Sequence, residues 1–173
     1  MNTTANKITL LRVILIPVFM VLAYMDLRIP AVIVFILASL SDLLDGYIAR
    51  HYNQVSNFGK FMDPLADKML VLSCMCFLVE KGQMPGWVVA VILFREFAVS
   101  GLRLVAAERQ RVIAAAWSGK IKTTCTMVGL CFVLVFTQFA WLNLLVSAVI
   151  LVTTVYSGVE YFWKNKDVFK DAD

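Results

Sequence analysis

Ser39-Leu-Ser-Asp42-Leu-Leu-Asp45-Gly46-Tyr-Ile-Ala49-Arg50 closes one long apolar run, and Gly59-Lys60-Phe-Met-Asp63-Pro-Leu-Ala-Asp67-Lys68 opens the next. Four carboxylates therefore stand at the adjoining ends of two consecutive apolar segments. The i,i+3 spacing of Asp42 and Asp45 puts both on one helical face, and the i,i+4 spacing of Asp63 and Asp67 does the same. The link from Arg50 to Gly59 is short, so the two helices are expected to be antiparallel neighbours with both pairs at one depth. A charge inside a spanning helix costs about 3 kcal/mol on insertion scales, which makes such residues functional candidates by default.

The rest of the chain supplies the membrane. Of 173 residues, 61% are hydrophobic and only 16% charged, against about 25% charged in a soluble domain. So apolar a chain has too little polar surface to face water. A spanning helix needs about 20 mostly apolar residues. Six segments qualify, roughly Ile8 to Met25, Ile29 to Ala49, Phe61 to Val79, Pro85 to Ala107, Ile121 to Phe139 and Trp141 to Trp163. The fold class expected is all-α, a single membrane domain over residues 1–173 built as a six-helix transmembrane bundle. The first run has no small-residue cleavage site and is interrupted by Arg12, so it reads as a retained helix and not as a signal peptide.

Charge placement orients the bundle. Lys7 and Arg12, the connections Arg50 to Lys60 and Arg103 to Lys122, and the tail residues Lys164, Lys166 and Lys170 all fall on one side of a six-span topology. By the positive-inside rule that side, with both termini, is cytoplasmic. The net charge of +4 then suits anionic headgroups or phosphorylated substrates, and no nucleic-acid partner is expected. Trp87, Trp141 and Trp163 lie near helix ends and read as interfacial anchors, and Trp117 marks the start of the fifth helix. Cys74, Cys76, Cys125 and Cys131 lie in apolar runs and read as small packing residues. His51 reads as a polar loop residue.

Four convergent carboxylates repel one another unless protons or cations intervene. An all-oxygen donor set suits a hard divalent ion, Mg²⁺ or Mn²⁺, and two such ions fit phosphoryl chemistry. The alternative is a helix-end ion-pair network with Arg50, Lys60 and Lys68. Gly46 and Ala49 share a side with Asp42 and Asp45 and leave room for a substrate. Arg50 and Lys60 add positive charge at the mouth.

The spacing Asp-x2-Asp-Gly-x2-Ala-Arg-x8-Gly-x3-Asp-x3-Asp, from Asp42 to Asp67, resembles the full signature of the CDP-alcohol phosphotransferases, with every fixed position matched. Asn6-Lys-Ile-Thr9-Leu-Leu-Arg12, Arg95-Glu96-Phe-Ala-Val-Ser100-Gly101-Leu-Arg103 and Gly119-Lys120-Ile-Lys122-Thr123 are similar to segments of a bacterial branch of that family, the phosphatidylglycerophosphate synthases. The resemblance covers about Asn6 to Thr123, and the last helix carries no matched motif. It implies that Asp42, Asp45 and Asp63 hold one metal and Asp42, Asp63 and Asp67 a second. It implies that Gly46, Ala49, Arg50 and Gly59 contact the CDP moiety, with Thr9 nearby, and that Asp67 is the general base. The implied reaction moves a phosphatidyl group from CDP-diacylglycerol to glycerol 3-phosphate, releasing CMP. A homodimer is also implied.

The acceptor phosphate needs its own cations, and Arg95, Arg103, Lys120 and Lys122 are the candidates. Arg95 reads equally as a buried partner of Glu96. Arg109 and Arg111 read as topology charge. Ser100 and Gly101 read first as a small-residue packing contact and second as a substrate contact. Two rival functions stay open here. One is the same chemistry on another acceptor, such as inositol phosphate, serine or phosphatidylglycerol. The other is an ion-coupled transporter, disfavoured because the acidic residues cluster at one membrane face with no second layer beyond.

Overall fold

The computed structural model describes the backbone of residues 4–51, 57–108, 110, 113–114 and 116–169, and the side chains of these except 4–7, 42–51, 57–61, 63–64, 67 and 169. The helices are α1 (Thr4–Tyr24), α2 (Arg28–His51), α3 (Asn57–Glu80), α4 (Gly86–Glu108), α5 (Trp117–Val135) and α6 (Ala140–Lys164), followed by a 3-10 turn, Lys166–Phe169. The six expected helices are present in the expected order, and the described residues contain no strand.

These helices are turned inside out relative to those of a soluble protein. On α6 the buried face is Asn143, Ser147, Ile150, Thr154, Ser157, Gly158 and Tyr161. Leu144, Val152, Tyr156, Val159 and Trp163 are exposed. On α5 the buried stripe begins with Ser118, Lys122 and Thr126, while Ile121, Val128 and Phe132 face outward. Small and polar residues inside with Leu, Val and Phe outside is the pattern of helices packed in lipid, where burial of apolar area does not drive association. Of the described residues, α5 and α6 each form a helix long and apolar enough to cross a membrane. The protein is a membrane protein with an all-α bundle fold.

A central layer of larger side chains fastens the middle. Phe19 of α1, Phe35 of α2, Leu70, Met75 and Leu78 of α3, Val88 and Ile92 of α4, Leu130 and Val133 of α5 and Ile150 of α6 form one buried cluster. α1 packs along both α2 and α3, α5 along α6, and α4 against α6. The α5–α6 seam is tight at Gly129, where an added Cβ would stand 2.8 Å from Cγ1 of Val146.

Side-chain bonds show which helix ends lie together. Arg12 near the start of α1 reaches Ser41 late in α2. Lys68 early in α3 reaches Ser100 late in α4. Lys122 early in α5 reaches Glu96, and Arg103 reaches Tyr161 late in α6. One end of the bundle thus collects the basic segments. At the other end Tyr24 donates to Glu80, and Arg28 donates to Thr137. There Arg28 also donates to Asp26 at 3.0 Å and holds that carboxyl below its ordinary range. Tight turns close that end: Asp26 and Gly82 take positive φ, 58° and 69°.

Three boundary expectations need correction. α5 begins at Trp117, as the tryptophan suggested, and not at Ile121. It stops at Val135, not Phe139. The early start was hidden because its first turns bury Ser118 and Lys122, which carry no apolar periodicity. At the far end Phe136 leaves the helical region (φ −105°, ψ 46°), and the Asn143 amide donates to the Thr137 carbonyl at 3.4 Å. α3 begins four residues before Phe61, at Asn57, so Asp63 lies within the helix instead of at its first turn. His51 is the last residue of α2 and not part of a loop. Trp87, Trp141 and Trp163 are exposed near helix ends, as expected of interfacial residues. The tail residue Lys170, with Arg109 and Arg111, lies outside the described residues.

The Gly129 contact is testable. Gly129→Val should lower the melting temperature of the detergent-solubilised protein, an overpacking cost of roughly 1–3 kcal/mol. Gly101→Ala, where an added Cβ meets open space, should leave it unchanged or slightly raised. Equal melting temperatures for wild type and Gly129→Val would contradict the close α5–α6 approach.

Candidate active site

The signature residues fall on the two helices that the spacing required. Asp42, Asp45, Gly46, Ala49 and Arg50 belong to the C-terminal part of α2, and Gly59, Lys60, Asp63 and Asp67 to the N-terminal part of α3. At 1.5 Å per residue, Asp45 and Asp42 lie about 9 and 14 Å before the end of α2, and Asp63 and Asp67 about 9 and 15 Å after the start of α3. α2 and α3 are in contact. The two pairs therefore lie at similar distances from the adjoining ends of two helices in contact. Their side chains lie outside the described residues, as do those of Gly46, Ala49, Arg50, Gly59 and Lys60. Among the described residues no group of carboxylate, histidine or cysteine side chains forms a metal cluster.

The immediate surroundings are described. Arg12 is fully buried, and its Nε donates to Oγ of Ser41 at 3.1 Å. Ser41 in turn donates to the Ala38 carbonyl at 2.7 Å and directly precedes Asp42. Thr9, one turn before Arg12 on α1, is buried as well. Arg12 had been read from sequence as topology charge. The structure makes it a buried cation at the start of the acidic motif. A guanidinium is tolerated in such a place only with polar or anionic groups around it. The signal that could have found it was its position: an arginine several residues inside an apolar run, not at its edge.

Beside this region a cleft of about 750 Å³ opens between α3, α4, α5 and α6. Its polar lining includes Lys68, Arg95, Glu96, Ser100, Arg103 and Lys120. Lys68 follows Asp67 directly, and its Nζ donates to Oγ of Ser100, so the cleft adjoins the acidic motif. Arg95 donates through Nη1 to Glu96 at 3.0 Å and through Nη2 to Ser157 at 2.6 Å. Arg103 donates through Nε to the Tyr161 hydroxyl at 2.7 Å and lies 5.2 Å over that ring. Lys120 Nζ lies 4.9 Å from the Trp117 ring centre.

Three of the four residues proposed for the acceptor thus share one cavity: Arg95, Arg103 and Lys120. Lys122 stands apart. It is buried and donates to Glu96 at 2.6 Å, lining a narrower chamber between α3, α4 and α5. The two readings of Arg95 prove compatible, since it pairs with Glu96 and also lines the cleft. Ser100 is a polar contact of Lys68 in the cleft wall, and Gly101 faces open space, so neither serves as a close helix-packing point. Sequence reasoning found no role for α6, yet Ser157 and Tyr161 bind both arginines. Cys74 is buried, Cys76 exposed, and all four cysteines are free thiols, in keeping with a packing role.

Comparison with known sequences decides the family. The sequence profile of the CDP-alcohol phosphatidyltransferases matches residues 2–157. The chain belongs to the CDP-alcohol phosphatidyltransferase family. Among its relatives in that family is the CDP-diacylglycerol–glycerol-3-phosphate 3-phosphatidyltransferase of Bacillus subtilis, 44% identical with 97% of each chain covered. The enzyme of the same name in Escherichia coli K12 is 37% identical, over 89% of this chain and 90% of the relative. A probable phosphatidylglycerophosphate synthase of Mycobacterium tuberculosis H37Rv is 37% identical, over 91% of this chain and 78% of the relative. The matched CDP-alcohol phosphatidyltransferase region includes the whole acidic motif and the cleft residues of α3, α4 and α5.

Removing the Ser41 hydroxyl takes an acceptor from a fully buried guanidinium. Ser41→Ala should cost about 1.5–3 kcal/mol of stability, the range for a hydrogen bond to a charged group, read by thermal melting in detergent. Ser41→Thr should retain most of it. A melt unchanged in Ser41→Ala would show that Arg12 does not depend on this contact.

Proposed function

We propose that this protein transfers the phosphatidyl group of CDP-diacylglycerol to sn-glycerol 3-phosphate, forming phosphatidylglycerol phosphate and CMP. The observation that carries the reading is the placement of a basic cleft against Lys68, the residue after the last aspartate of the family signature. A phosphorylated acceptor bound there reaches the acidic motif directly. The named activity of the Bacillus subtilis and Escherichia coli relatives supports the same acceptor.

Asp42, Asp45, Asp63 and Asp67 are the residues proposed to hold two divalent cations, Mg²⁺ or Mn²⁺. Four carboxylates near the adjoining ends of two helices in contact are an all-oxygen donor set of the kind that hard ions take. When bound, such ions supply charge neutralisation to the diphosphate and to the departing CMP. Thr9, Gly46, Ala49, Arg50, Gly59 and Lys60 are assigned to the CDP moiety, the glycine and alanine positions giving close approach to backbone and the two cations facing phosphate. Arg95, Arg103 and Lys120 are assigned to the acceptor phosphate. Lys122 supports them through Glu96, which it shares with Arg95.

With the phosphate held, the C1 hydroxyl of glycerol 3-phosphate is aimed at the β-phosphorus. Asp67 takes its proton, the new O–P bond forms, and the P–O bond to CMP breaks. Fixing the acceptor by its phosphate makes the attack effectively unimolecular. The basic end of the bundle is assigned to the cytoplasmic face of the cell membrane, where water-soluble glycerol 3-phosphate and anionic headgroups are found together. A homodimer is consistent with the family.

CMP release by the purified protein, with CDP-diacylglycerol and Mg²⁺ and with glycerol 3-phosphate, inositol 1-phosphate or serine as acceptor, tests the reading. Release should require glycerol 3-phosphate. Release with another acceptor would overturn the assignment of the cleft. Asp67→Asn should abolish turnover and keep part of the CDP-lipid binding; equal loss of both would remove Asp67 as the base.

A further inference from the structure

The C-terminal half of α6 carries Ser157-Gly158-Val-Glu-Tyr161, which neither the acidic motif nor the acceptor assignment uses. Its buried face nevertheless meets both cleft arginines. Ser157 is fully buried and accepts from Nη2 of Arg95 at 2.6 Å. At Gly158 an added Cβ would stand 3.0 Å from Cγ of Arg95, so the arginine stem lies against bare backbone. Tyr161 is 2% exposed, accepts from Nε of Arg103 at 2.7 Å, and lies with its ring under the guanidinium.

The two arginines are used differently. The fork of Arg95 is taken up by Glu96 and Ser157. Tyr161 engages only Nε of Arg103, and among the described residues Nη1 and Nη2 of Arg103 have no partner. Those two nitrogens form the outer edge of the guanidinium, the edge that meets two oxygens of a phosphate in bidentate fashion. A free arginine side chain loses much rotamer freedom on binding. One already fixed by a ring and a hydroxyl loses less, and the difference appears as affinity.

We propose that Tyr161, with Ser157 and Gly158, is the positioning element for the cleft guanidinium groups and thereby determines selectivity for an acceptor bearing a phosphate monoester. This rests on the assignment of the cleft to the acceptor. Tyr161 presents the Nη edge of Arg103 to the phosphate, and Ser157 with Gly158 holds Arg95 behind it as a fixed positive charge.

The test is steady-state kinetics of Tyr161→Phe, Gly158→Ala and Arg103→Ala in detergent, alongside their melting temperatures. Tyr161→Phe keeps the ring and loses the hydroxyl. It should raise KM for glycerol 3-phosphate about five- to tenfold, with kcat and KM for CDP-diacylglycerol within about twofold of wild type. Gly158→Ala, which pushes on Arg95 instead, should shift the same KM in the same direction. An unchanged KM in Tyr161→Phe while Arg103→Ala raises it would overturn the positioning role and leave the cleft assignment standing. An unchanged KM in Arg103→Ala as well would overturn the cleft assignment itself. A parallel rise in both KM values with a lower melting temperature would make Tyr161 a general packing residue and overturn the proposal.

Discussion

Repulsion among four carboxylates, carried on two adjoining helix ends of a largely apolar bundle, is the constraint around which the rest of the molecule is arranged. Carboxylates brought close together cannot all be ionised without compensating positive charge, and Asp42, Asp45, Asp63 and Asp67 are proposed to be so placed. Basic side chains stand on the helices around the motif. α1 brings a buried Arg12 against Ser41, and α3 carries Lys68 directly after Asp67. α4 supplies Arg95 and Arg103, and α5 supplies Lys120 and Lys122. At the opposite end the described pairings are Tyr24 with Glu80 and Arg28 with Asp26 and Thr137. The end of the bundle that collects the basic segments is thus also the end that carries the acidic motif.

The polar interior follows from the same demand. In lipid, helices associate through close packing and internal hydrogen bonds, so a site for phosphorylated substrates can be placed inside the bundle without sacrificing a hydrophobic core. α5 and α6 show this: Ser118, Lys122, Thr126, Ser157 and Tyr161 point inward, and the large aliphatic side chains point to the acyl chains. The buried cluster around Phe19, Phe35, Leu78 and Leu130 holds the bundle together below the site.

Much of this was legible in the sequence because membrane helices and regularly spaced carboxylates both leave strong one-dimensional marks. The six helices appear as long apolar runs broken by few charges, and the acidic motif as a fixed spacing that also reveals the family. The illegible parts share one physical cause. Where a helix is polar on its inner face, hydropathy gives no cue to which residues are buried. That concealed the true start of α5 and the roles of Ser157 and Tyr161. Arg12 and Lys122 were visible as charges, but a charge count does not tell a headgroup contact from a buried ion pair. Only the packing of α1 on α2, and the reach of Lys122 from α5 to Glu96 of α4, separates the two.

The central claim is that the paired aspartates of α2 and α3 hold two divalent ions together. Its most direct test is the stoichiometry of Mn²⁺ bound to the purified protein, followed by electron paramagnetic resonance in detergent with wild type and Asp63→Asn compared. The account predicts two ions per chain, magnetically coupled, with the coupling lost in the variant. Absence of Mn²⁺ binding by the folded wild-type protein, or binding that Asp63→Asn leaves unchanged, would contradict it.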